Sequence, residues 1–147
     1  MVSIVSGMRR EHTKLRAWRD QSRHNQSTVR AWPPVTVKTV NIKDGFPDVE
    51  QARTRLHSEI EIAQRQGLRV LKIIHGYGSH GVGGELRIAL QSTLRRLAHS
   101  GQIKDCIYGE NWRQSDERSW ELLKRTPELK NDPDLGRNNR GITIVLL

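Results

Sequence analysis

Hydrophobic and polar positions change period several times along this chain. From Val35 to Lys43 the run VTVKTVNIK alternates, the period-two pattern of a strand with one buried face. Asp48 precedes Val49, with Gln51 three residues on, a capping-box arrangement that opens a helix. Val49, Ala52, Leu56, Ile60 and Ala63 follow at spacings of three and four as one apolar stripe, and Gly67 stands where a helix ends. Leu68 to Ile74 reads as a buried second strand, interrupted only by Arg69 and Lys72. A second helix carries the stripe Leu86, Leu90, Leu94 and Leu97 and closes at Gly101. Ile103 to Tyr108 predicts a third strand. Ile142 to Leu147, ITIVLL, is the most uniformly apolar segment and predicts a fourth strand interior to the sheet.

The order is βαβα, then two strands separated by an insertion at about residues 111–139. Ser115, Asp116 and Glu117 start a short helix there; Trp120 and Leu123 share its apolar face, and Pro127 ends it. Trp112 and Trp120 read as packing anchors for the insertion. The pattern predicts an α/β fold, a two-layer sandwich of βαβαββ order with a small four-stranded mixed sheet. Right-handed crossovers make its first three strands parallel. Leu56, Ile60, Ile73, Leu90, Leu94 and Ile144 are expected in one core. Residues 1–34 hold few apolar positions and end at Pro33-Pro34, so they read as a disordered arm preceding a domain at 35–147.

Charge adds a partner class. Lys and Arg number 25 against 16 Asp and Glu, a formal +9. Seven of the basic residues and only two acids lie in residues 1–34. Such an excess attracts polyanions, nucleic acid before membrane. Cys106 is the sole cysteine, which excludes an internal disulfide or a thiolate zinc cluster and suits a buried, inert thiol without a disulfide-linked partner. No apolar run reaches membrane-spanning length, and the N-terminus is not ordered like a secretory signal, so a cytoplasmic protein is expected.

The chemistry concentrates between the second strand and second helix, where Gly76, Gly78, Gly81, Gly83 and Gly84 fall within nine residues. A strand feeding a glycine-rich turn at a helix N-terminus gathers backbone N–H groups and the positive end of the helix dipole, a setting for phosphate. Arg87 lies about one turn into that helix. Gly76 to Gly81 is literally G-x-G-x-x-G, but it follows the second strand, and too little chain remains for the second half of a dinucleotide fold. The P-loop pattern fails at Val82, where its Lys belongs. Arg87, Gln91 and Arg95 form a basic helix edge. A ligand-free glycine turn and a solvated helix face would leave the same residue patterns.

Ile73-Ile74-His75-Gly76-Tyr77-Gly78, with Leu86-Arg87 early in the helix, resembles the small MutS-related (Smr) domain family, which joins strand to helix through H-G-x-G. The element order is also similar to the C-terminal domain of translation initiation factor three. The resemblance implies DNA or RNA binding and, in many members, endonuclease activity. The family's other hallmark, L-D-L-H-G, is replaced here by Val40-Asn41-Ile42-Lys43-Asp44-Gly45, with Asn41 at the acid position and Lys43 at the histidine position. Asn41 cannot act as a carboxylate ligand or base, and Lys43 is cationic unless strongly desolvated. Expected nucleic-acid contacts are Lys43, His75, Gly76, Tyr77, Gly78, Gly81, Arg87 and Arg95, with His80 assisting. His75 is either a catalytic acid/base, paired with an acid such as Asp44, or a structural cap on the turn. No cofactor or resident metal is expected; a divalent metal enters only with the nuclease reading. A protein-interaction module is the remaining alternative.

Overall fold

The computed structural model describes residues 36–77 and 83–147. The arm at residues 1–34 lies outside them. The elements are β1 (Val37–Asn41), α1 (Val49–Arg65), β2 (Val70–Ile74), α2 (Gly83–His99), β3 (Asp105–Tyr108), α3 (Glu117–Arg125) and β4 (Ile142–Leu146), with 3-10 turns at Gly109–Asn111 and Pro127–Asn131. The sheet order is β1-β2-β4-β3. β1 pairs with β2 in parallel, and β4 is antiparallel to both β2 and β3. The first three strands therefore point the same way, and β4 is interior, as its apolar run requires.

The capping box of α1 is formed. Gln51 N–H donates to Asp48 Oδ1 at 2.8 Å, and Asp48 N–H donates to Gln51 Oε1 at 3.0 Å. A cap of this kind is worth about 1 kcal/mol. The helix turns Ala52, Leu56, Ile60 and Ala63 onto the sheet, where they meet Leu71, Ile73 and Val145 and the α2 residues Leu90 and Leu94. β1 is shorter than its alternating pattern, because after Asn41 the chain turns through Ile42–Gly45 instead of continuing the ladder. Val35 lies outside the described residues.

Ile144 does not join that core. Strand alternation turns its neighbour Val145 toward α1 and α2, and Ile144 faces the other side with Val70, Ile107 and Ile142. There the segment after β3 supplies a second, smaller core of Trp112, Leu122, Leu123 and Leu129. Trp112 is fully buried, whereas Trp120 is 46% exposed; the buried face of α3 is Ser119, Leu122 and Leu123. Only Trp112 is a packing anchor, and Trp120 corrects the expectation that both are.

Lys72, the cation inside the second-strand run, anchors this cover. Its side chain is 5% exposed, and its Nζ lies 2.6 Å from Asp132 Oδ1 and 2.5 Å from Asp134 Oδ2. Trp112 Nε1–H donates to Asp132 at 2.8 Å, and Asn139 Nδ2–H donates to Asp134 at 2.9 Å. Burial alone would lower the Lys72 pKa, but the hydrogen bonds it donates to both carboxylates outweigh it and raise the ammonium above its ordinary range. Burial pushes Asp134 upward, and the bonds from Lys72 and Asn139 overcome it and hold the carboxyl below its ordinary range.

Lys72→Met leaves two partly buried carboxylates without their cation, and an expected loss of up to about 3–5 kcal/mol at pH 7. Without Lys72 the Asp134 carboxyl takes up a proton more readily, so the deficit relative to the parent shrinks on acidification to about pH 4.5. Urea denaturation at the two pH values checks this; a deficit that does not change with pH contradicts it.

Candidate functional site

The carboxyl ends of β1, β2 and β3 and the start of β4 meet at one end of the sheet, where β2 leads toward α2. His75, the first residue past β2, is fully buried there. Its Nδ1 lies 2.8 Å from the Gly76 carbonyl oxygen, and its Nε2 lies 2.8 Å from Thr143 Oγ1. A carbonyl only accepts, so Nδ1 carries the proton; in the neutral ring Nε2 then accepts from the Thr143 hydroxyl. Gln91 Nε2–H completes the chain by donating to Thr143 Oγ1 at 3.5 Å. Burial pushes the His75 pKa below 6.5, the Arg87 charge acts in the same direction, and the Gly76 carbonyl and Glu110 oppose them.

The backbone around His75 is equally committed. His75 and Gly76 N–H both donate to the Gly141 carbonyl at 3.0 Å. Gly76 takes φ +79, where a side chain would be strained, and the Lys43 side chain packs 3.4 Å from the site of a Cβ. A Cβ on Gly109 would fall 1.7 Å from the Asn139 carbonyl oxygen, so the exit from β3 presses directly on the chain entering β4. The Gly76 N–H is thus spoken for and is not free to hold an anion.

Two arginine side chains converge on Tyr77, which is half-exposed. The guanidinium carbons of Arg87 and Arg140 lie 5.3 and 5.8 Å from its ring centroid, and Arg140 Nη1 donates to the tyrosine hydroxyl at 3.3 Å. Among the described residues, Arg87 Nε and Glu110 Oε2 are buried without a hydrogen-bond partner. The site brings together Lys43, His75, Gly76, Tyr77 and Arg87. Gly78, His80 and Gly81 lie outside the described residues. Arg95 is two helical turns beyond Arg87, bonded to the Tyr108 hydroxyl and 5.5 Å from that ring's centroid. Asp44 is exposed, and Glu110 is the carboxylate that acts electrostatically on His75. Burial raises the Cys106 pKa, with Asp105 adding to it, which suits an inert thiol.

Arg140 has no motif to mark it. Its signal is topological: an interior antiparallel β4 begins at the sheet end where β2 finishes. Among the described residues no group of three or more His, Cys, Asp or Glu gathers as metal ligands, and no helix is long and apolar enough to cross a membrane.

The family model for the Smr domain matches residues 45–110. Among solved structures, the chain is similar to the crystal structure of the Smr domain of Thermus thermophilus MutS2, at 22% identity and a TM-score of 0.45, over 77% of this chain and 98% of that one. No curated protein matches the chain.

Because the fold disfavours protonated His75, the unfolded chain binds more protons just below pH 6.5. The stability contributed by neutral His75 is present above that pH and is lost as pH falls through about 6.5 toward the depressed folded value. Denaturation of the parent and His75→Gln between about pH 7.5 and 5.5 is expected to show a shallower loss in the variant. Equal losses would mean that His75 is not held neutral.

Proposed function

We propose that this chain, whose residues 45–110 match the Smr family model, binds nucleic acid, DNA or RNA, at the sheet end where Tyr77 stands between strand and helix. One observation carries the reading: two arginines, 53 residues apart in sequence, are gathered over a single half-exposed tyrosine. Guanidinium groups pair with phosphate oxygens in fork geometry, and the N-terminus of α2 favours the same charge. Lys43 extends the cationic surface, and Arg95 continues it along α2. The glycine loop, Gly78 and Gly81 included, is proposed to follow the backbone of the bound strand. The basic arm at residues 1–34 adds attraction that does not depend on sequence.

Endonuclease activity is the second reading, and the neighbourhood of Glu110 and His75 favours it. It would require His75 to break bonds to Gly76 and Thr143 that now occupy both ring nitrogens. Asn41 and Lys43 supply neither the acid nor the second histidine. Binding without cleavage is therefore the better-supported reading, and docking on an acidic protein is the weaker one.

Labelled single-stranded, duplex and branched DNA and RNA, with and without Mg²⁺ or Mn²⁺, are expected to be retarded and left uncut; metal-dependent products would favour the nuclease. Arg87→Ala and Arg140→Ala are each expected to cost up to about 1.5–3 kcal/mol of affinity at low salt, less where solvent screens the contact. Each also flattens the dependence of log K on log salt by about one phosphate contact. Unchanged affinity in both folded variants would remove the proposed grip. Deleting residues 1–34 is expected to leave the melting temperature of the remaining domain nearly unchanged while lowering both affinity and the salt slope; a large fall in melting temperature would contradict this.

A further inference from the structure

Phe46 is 98% exposed and has φ +51. A bulky side chain in the left-handed region costs stability, and this ring returns none by packing. The loop beneath it is firmly built. Phe46 N–H donates to the Lys43 carbonyl at 3.2 Å. Arg55 Nη1 donates to the carbonyls of Ile42 at 3.2 Å and Asp44 at 2.5 Å. Pro47 is buried immediately after, and Asp48 caps α1. The chain thus holds an aromatic ring in solvent on a fixed pedestal.

Its surroundings indicate what such a ring meets. β1 and β2 are adjacent and parallel, paired as far as Asn41 and Ile74, so the loops bearing Phe46 and Tyr77 leave from the same sheet end. Lys43 bridges them, its aliphatic stem against Gly76. Lys43 and Arg55 supply positive charge on the Phe46 side, Arg87 and Arg140 on the Tyr77 side. An open cleft of about 460 Å³, lined by Asn41, Asp44 and Arg55 among others, runs beside the Phe46 loop. Exposed aromatic faces interleaved with cations are complementary to a polyanion that also presents flat, unpaired faces. Duplex bases are stacked on one another and offer no such face; single-stranded bases do.

We propose that Phe46 is a stacking platform for an unpaired base, which makes single-stranded or flapped nucleic acid the favoured ligand of this domain. The proposal rests on the nucleic-acid reading of the Tyr77 site and names its substrate class. One base stacks on Phe46 while the neighbouring phosphates reach Lys43 and the arginines about Tyr77.

Fluorescence anisotropy of the full chain, with a labelled single-stranded oligonucleotide and a blunt duplex of equal length, separates the two ideas. Phe46→Ala and Phe46→Gly are expected to weaken single-strand binding on the order of tenfold and to change duplex binding less than about twofold. Phe46→Trp is expected to retain single-strand binding. Arg87→Ala is expected to weaken both ligands. Because glycine accepts a positive φ, Phe46→Gly is expected to melt no lower than the parent. If Arg87→Ala loses affinity while both Phe46 variants bind the single strand like the parent, or lose both ligands equally, the stacking proposal is overturned and the binding reading stands. If the parent binds neither ligand, both fall. A lower melting temperature for Phe46→Gly would show that the ring packs, and would also overturn the proposal.

Discussion

The end of the sheet depends on one carbonyl group. Gly141 C=O, at the entry to β4, accepts from both His75 and Gly76 N–H. This ties the chain leaving β2 to the chain entering β4, and the His75 ring locks the junction from within through Gly76 and Thr143. Each partner has little freedom. Gly76 occupies a left-handed conformation, and a Cβ on Gly141 would lie 3.0 Å from Asn139 Oδ1 and 3.4 Å from the Gly76 backbone. The direction in which the chain sets off toward α2, and the place where Tyr77 emerges, follow from this contact. A buried neutral imidazole suits the task because it offers one donor and one acceptor at fixed angles and brings no charge to be solvated.

The opposite face of the sheet is organised by charge. Lys72 sits in the middle of β2 among apolar neighbours, and its two carboxylate partners come from the segment between α3 and β4. Such a triad does not by itself make a fold more stable than an apolar filling would. Its effect is selective: only a chain path that delivers Asp132 and Asp134 together satisfies the ammonium, and Trp112 completes the arrangement by donating to Asp132. The same segment carries Asn139 and Arg140, so the anchoring of the insertion also bears on the position of the second arginine at Tyr77.

Periodicity in the sequence was a sound guide where one face of an element is buried. The stripe of α1, its capping box and the interior place of β4 all follow from spacing. Alternation should also have separated Ile144 from Val145; it misled because a four-stranded sandwich was expected to bury one face only, and the second core requires Trp112, Leu122 and Leu129 to fold back over the other. Lys72 appeared as an interruption because its partners are about 60 residues away in sequence. At the site, H-G-x-G led to His75, Gly76 and Tyr77. Arg140 and Phe46 were not legible: one arrives through antiparallel topology, and the other stands out only by its exposure and its backbone angle.

Three functions of the site separate along these lines. His75 and the glycines hold geometry, the arginines and Lys43 carry charge, and the aromatic rings offer faces. The account depends most on the first, since a freely titrating His75 would reopen the catalytic reading and loosen the turn. Long-range ¹H–¹⁵N correlation spectra of the histidine rings at pH 7 test it directly. The account predicts a neutral His75 ring with its proton on Nδ1 and none on Nε2, titrating below the ordinary value of about 6.5. An imidazolium at pH 7, or a ring protonated on Nε2, would contradict it.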